Sequence, residues 1–234
     1  MPDPSLRHRV RNALQAVAEP TRAPAMQAYM KSAMPYLGVA TVPRRAALKP
    51  IFAELGWSDA AVWRDDVLHL WRNAEFREER YAAIELCAVK AARPFQRIDA
   101  LPMYEEMIIT GAWWDHVDEI AGHRLWDVLR NDRATMSEAM RAWSTDANMW
   151  KRRASIICQL PAKRETDLDL LYACIEPSIG SSEFFLRKGI GWALRQYAWT
   201  DPDEVARYVA ANTDRLSGLS KREALKNGGK RRGG

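Results

Sequence analysis

Cysteine is scarce in this chain: Cys87, Cys158 and Cys174 are the only three in 234 residues, and no two form a CxxC pair. An odd number of thiols, each inside an apolar helical pattern, argues against a disulfide framework and suits reduced, buried side chains. Histidine is also sparse. His8, His69, His116 and His123 show no ligand spacing of their own, so neither a structural zinc nor a dinuclear metal site is expected. No apolar stretch approaches the length of a membrane span, and Met1-Pro2-Asp3-Pro4 has no apolar segment of a secretory leader. The expectation is a cytoplasmic protein without a membrane partner. Strand-like alternation is nearly absent as well, and β-branched residues dominate no segment, so an all-α fold is expected.

Apolar residues make up 47% and charged residues 28%, the balance of a folded chain rather than a disordered one. At 26.7 kDa the chain can bury a substantial core. A single domain over residues 1–226 is expected, followed by a flexible basic tail over 227–234 that could touch phosphate nonspecifically or simply be solvated. The net charge of +5 favours a polyanionic partner.

Prolines 20, 24, 35, 43 and 50 suggest short, broken helices over the first fifty residues, with longer ones from Ser58 onward. Asp201-Pro202-Asp203-Glu204 reads as an N-cap, a proline at N1 and a glutamate at N3, with Val205, Tyr208 and Val209 on the buried stripe. A helix over Glu79–Ala92 gathers Ile84, Cys87 and Ala88 on one face. Leu186, Ile190, Leu194 and Tyr197 form another apolar stripe, and beside it runs a second stripe of Lys188, Trp192, Arg195 and Trp199. A degenerate repeat links these helices. Arg80-Tyr81-Ala82-Ala83-Ile84 matches Arg152-Arg153-Ala154-Ser155-Ile156 after 72 residues, and Arg187-Lys188-Gly189-Ile190 follows after 35 more. Such spacings suit stacked helix pairs, with Ala82, Ala154 and Gly189 allowing close approach.

Ten tryptophans are far above ordinary usage, and several sit beside charge. In Trp113-Trp114-Asp115-His116-Val117-Asp118, Trp114 and Asp118 are i and i+4 on a helix and share a face, while Trp113 and Val117 suit the core. Asp115 and Asp118 can equally be solvated or cap helices. In Trp150-Lys151-Arg152-Arg153 the two arginines point about 100° apart, so one can face a phosphate while the other makes a salt bridge or meets solvent. Trp113, Trp126 and Trp143 read as packing residues, with Trp57, Trp63 and Trp71 in the same class. Trp150 and Trp199 fit either reading, and Trp192 can be core or surface.

The motifs WWDHVD, WKRRASI and FFLRKGIGWALRQYAWTDP, with the segment from Tyr29 through Tyr36-Leu37-Gly38-Val39 to Arg44-Arg45, closely resemble the DNA alkylation repair family, the HEAT-like-repeat alkylpurine DNA glycosylases. The similarity runs from about Tyr29 to Lys226, and its motifs keep their order at compatible spacings. The resemblance implies a curved superhelical solenoid of HEAT-like repeats that binds double-stranded DNA containing alkylated purines. It implies hydrolysis of the N-glycosidic bond of cationic N3- and N7-alkylpurines, without cofactor or metal and without strand incision. It further implies that the lesion stays stacked while the protein contacts its deoxyribose and backbone. Carried over by motif, Trp114, Asp118 and Trp192 are the catalytic candidates. Arg153 is the phosphate contact, Tyr29 a DNA contact, and Thr41, Arg45, Lys188 and Arg195 further backbone contacts. A monomer suffices, because a repeat array needs no second subunit to bury its core. The alternative is a noncatalytic helical-repeat protein that binds damaged or distorted DNA.

Overall fold

A computed structural model describes residues 3–226; the basic tail expected over 227–234 lies outside the described residues. Every regular element among the described residues is helical. The helices gather into two compact units, Met1–Gln96 and Arg97–Gly234.

The first unit holds α1 (Pro4–Ala16), α2 (Ala23–Met30), α3 (Thr41–Ala53), α4 (Ala60–Arg72) and α5 (Arg77–Leu86). Its prolines start helices more than they break them. Pro4 and Pro24 occupy first-turn positions, where the missing N–H costs nothing. The expected lengthening from Ser58 is not found: α1, α3 and α4 each have 13 residues. Leu6, Val10 and Leu14 of α1 are buried on a core shared with Leu48, Trp63, Val67 and Trp71. Three charged side chains tie this core together. Arg11 donates to Glu79, and the buried Glu78 carboxylate accepts from the backbone N–H groups of Leu37, Gly38 and Val39. Gly38 has a φ of +84°, and a Cβ there would lie 2.0 Å from the Glu19 carbonyl oxygen, so only glycine fits this turn.

The helix expected over Glu79–Ala92 is shorter. It ends at Leu86, Val89 is extended, and a 3-10 turn covers Lys90–Phe95. The buried Gln96 amide donates to the carbonyls of Cys87 and Ala92, closing the helix end that apolar spacing alone would have extended. Ile84 and Cys87 are buried as expected, but Ala88 is exposed.

The second unit contains α6 (Leu101–Gly111), α7 (Trp114–Glu119), a π-helical turn (Ile120–Leu125), α8 (Trp126–Asn131), α9 (Arg133–Ser144), α10 (Met149–Ile157), α11 (Leu168–Ile175), α12 (Phe184–Tyr197), α13 (Pro202–Ala211) and α14 (Gly218–Ala224). Helix α10 is its centre, touching α6, α7, α9, α11 and α12. The cap expected at Asp201 is present: its Oδ1 accepts from the Glu204 N–H at 3.0 Å, and Val205, Tyr208 and Val209 are buried. Leu186, Ile190 and Leu194 form the buried stripe of α12, while Tyr197 is half-buried. Trp199 lies beyond the end of α12, so the second stripe stops at Arg195. Ala82, Ala154 and Gly189, the small residues of the repeat, are all buried.

Candidate active site

The corner before α7 sets the position of the tandem tryptophans. Ala112 ends α6 in the left-handed conformation, with φ of 37°, and its N–H returns to the Ile108 carbonyl. Trp113 then takes an extended backbone at the helix N-cap, and Trp114 begins the first turn. Asp118 follows one turn later, just before the π-helical turn, a widening often found at functional positions.

Across from it, Asn148 caps α10 by accepting from the N–H groups of Trp150 and Lys151. This fixes the register of the two arginines. Arg152 turns outward to the Ser178 hydroxyl, 3.0 Å away, and to the Pro177 carbonyl. Arg153 turns inward and is buried. Its Nε donates to Asp118 Oδ1 at 2.7 Å and its Nη2 to Oδ2 at 2.8 Å, a two-pronged charge-assisted pair. Nη1 donates to the backbone carbonyl of Phe185. The guanidinium assigned by motif to a phosphate is therefore engaged with a carboxylate and a carbonyl inside the protein. Gly189 leaves room for this arrangement, since a Cβ at that position would make a tight 3.3 Å contact with Arg153 Nη1.

An aromatic cluster reaches Arg153 through Phe185. Phe185 lies 4.9 Å from Trp150 and 5.4 Å from Trp113, centroid to centroid, and the Arg153 guanidinium carbon sits 5.9 Å from its ring centre. Trp150, open to either reading from sequence, is buried in this cluster. Phe184, half-exposed, meets Phe185 edge-on at 5.3 Å. Neither phenylalanine stands out in the sequence. Their signal was the paired FF at the head of the α12 motif, which two aromatics in an apolar run do not distinguish from packing.

Asp118 retains 16% of its side-chain exposure. Burial raises its pKa above the ordinary carboxylate value, Arg153 opposes that shift, and Asp115 adds to it. The result is a carboxylate held in fixed geometry and mostly, but not wholly, out of water. Such a group can stabilise a positive charge that approaches it. Trp114 and Trp192 are both half-buried. Among the described residues, no group of three His, Cys, Asp or Glu is disposed to hold a metal ion.

The remaining candidates fall into two sets. Lys188 and Arg195, one turn to either side of Trp192 on α12, both pair with Glu223 of α14. Tyr29, Thr41 and Arg45 belong to the first unit. Tyr29 and Thr41 are exposed, and Arg45, also exposed, donates to Glu85 at 3.3 Å. Its neighbour Arg44 is buried, donates to the same Glu85 and stacks over the Tyr81 ring at 4.7 Å.

Comparison with known proteins places the chain in a family. A solved structure of a predicted DNA alkylation repair enzyme from Enterococcus faecalis superposes with a TM-score of 0.80 at 28% identity, covering 91% of this chain and 97% of that one. No curated protein gives a match. The sequence model of the DNA alkylation repair enzyme family matches residues 10–227, nearly the whole chain, and the chain belongs to that family.

Proposed function

We propose that the protein is a DNA glycosylase that hydrolyses the N-glycosidic bond of cationic N3- and N7-alkylpurines in duplex DNA, without strand incision. The observation that carries this reading is Asp118, a carboxylate fixed on both oxygens by the buried Arg153, in a chain of the DNA alkylation repair enzyme family. The net charge of +5 suits a polyanionic substrate.

Alkylation at N3 or N7 gives the purine a positive charge, so it leaves without a general acid. As the N-glycosidic bond breaks, its electron pair moves to the base and neutralises it, and positive charge grows on the deoxyribose. Asp118 stabilises that charge, and its second task is to orient the water that adds to the sugar carbon and gives up a proton to solvent. Its partial burial strengthens the attraction, because fewer waters screen it. Trp114 and Trp192 face the cationic nucleotide with their electron-rich rings. Arg153 acts through Asp118: its fork holds the carboxylate in one orientation. The lesion remains stacked, and HEAT-like helix pairs supply the surface that meets the backbone. Tyr29, Thr41 and Arg45 are assigned as backbone contacts of the first unit.

The test is product identification. The protein, in excess, is incubated with duplexes carrying N3-methyladenine, N7-methylguanine or uracil, and released bases are resolved chromatographically. Release of the methylated purines but not uracil is expected, with an intact abasic strand. Tight binding of the lesion duplexes without any released base would leave the noncatalytic damage-binding alternative in its place.

A further inference from the structure

Helix α14 approaches α12 more closely than ordinary side chains allow. At Gly191, next to Trp192, a Cβ would lie 2.5 Å from the Glu223 Cβ and 2.9 Å from the Ser220 carbonyl oxygen. The buried Ser220 hydroxyl donates to the Arg187 carbonyl at 3.0 Å, which pins the two helices together. Ser217 caps α14 by accepting from the Ser220 N–H, so the short helix is set in register before it docks.

That docking delivers one carboxylate between two cations. Glu223 Oε1 lies 3.0 Å from Lys188 Nζ, and Oε2 lies 2.6 Å from Arg195 Nη1. Lys188, Trp192 and Arg195 are spaced four and three residues apart, so the two bridged cations bracket the tryptophan on one helical stripe. Lys188 and Arg195 keep 38% and 24% of their side-chain exposure, enough for both to reach a phosphate if they were released. A free lysine and arginine there would grip any duplex, damaged or not, since phosphate contacts carry no information about the base.

We propose that Glu223 is a specificity-determining residue: by holding Lys188 and Arg195 it withholds two phosphate-binding cations from undamaged DNA and fixes the turn of α12 that carries Trp192. The proposal rests on the reading of the protein as a DNA-acting enzyme. Glu223 touches neither base nor sugar and acts through the two cations. Discrimination then depends on Asp118 and the tryptophans, which respond to the lesion's charge, rather than on the general attraction of the backbone.

The experiment measures binding of the whole chain to an undamaged duplex across a salt series, for the wild type and Glu223→Gln. The glutamine keeps the shape and removes the charge. Glu223→Gln is expected to bind undamaged duplex on the order of tenfold more tightly at about 50 mM salt, with a salt slope steeper by about 0.9 for each phosphate gained. A residue that only supported the fold would weaken binding when changed, so the sign of the effect separates the two roles. Glu223→Ala provides a second route, should Glu223→Gln not fold. It should likewise bind undamaged duplex more tightly and with a steeper salt slope, because it too releases both cations. An unchanged or weaker affinity, or an unchanged slope, in a folded Glu223 variant overturns the proposal. A wild-type protein that binds no duplex at all overturns instead the reading on which it rests, and the proposal with it.

Discussion

Two carboxylates of the second unit meet arginine at nearly the same distance, yet their proton affinities move in opposite directions. Asp118 lies 2.7 Å from Arg153 and its pKa is raised; Glu223 lies 2.6 Å from Arg195 and its pKa is lowered. The surface they leave open does not separate them, since their side chains are 16% and 15% exposed. Their surroundings do. Asp118 is dominated by burial, with Arg153 as its cation and a like charge in Asp115. Glu223 has Lys188 first, with Arg195 and Lys226 adding to it. An arginine partner therefore does not by itself fix the state of a carboxylate; the balance of burial and counter-charge decides.

The comparison breaks most sharply at Arg153. Arg153→Met leaves the mostly buried Asp118 with no counter-ion, a change that typically costs about 3–5 kcal/mol. For a chain of this size that corresponds to a melting temperature lower by roughly 10 °C, measurable by calorimetry. At the other carboxylate the largest lever is steric. Gly191→Ala drives a methyl into Glu223 and the Ser220 carbonyl, and a loss of about 1–3 kcal/mol is expected in denaturant unfolding. Gly189→Ala should cost less, because its Cβ would meet the Arg153 side chain at 3.3 Å rather than backbone; its expected mark is slower base release from a displaced Asp118.

Acid should take the two sites apart in sequence. The raised pKa of Asp118 means that base release falls as pH drops, at a pH above the ordinary aspartate value of about 3.9. Protonation there relieves the burial cost, so this group favours the folded state more as pH falls through its folded pKa. Glu223 behaves oppositely. Its bridges contribute stability above the ordinary glutamate value of about 4.3 and lose it only as pH falls through the lower folded value. That contribution is the smallest of the set, under about 1 kcal/mol, and weakens with salt. A pH series that lost base release and the Glu223 bridge together would contradict the contrast.

Much of the fold was legible where the signal is local. The Asp201 cap and the Leu186–Ile190–Leu194 stripe follow from spacing within one helix, and the buried small residues at 82, 154 and 189 from a short motif repeated on three. The end of α5 was not, because Gln96 closes it from nine residues beyond Cys87. Within the site, the motif picked out Asp118 and Arg153 separately but could not show that they face each other. They are 35 residues apart on different helices, and only the packing of α7 on α10 joins them. Glu223 was hidden for a similar reason. In sequence it sits in a basic terminal stretch, and its partners lie 28 and 35 residues earlier on α12.

The central claim is that the Asp118 carboxylate stabilises the sugar cation as an alkylated base departs. Its most direct test is the single-turnover rate of 7-methylguanine release from a defined duplex, for wild type and Asp118→Asn, with duplex affinity measured alongside. The account predicts release that is roughly 10²-fold slower in the variant, the scale of losing one charge-stabilising group, with duplex affinity unchanged. An equal rate in the two proteins would contradict it.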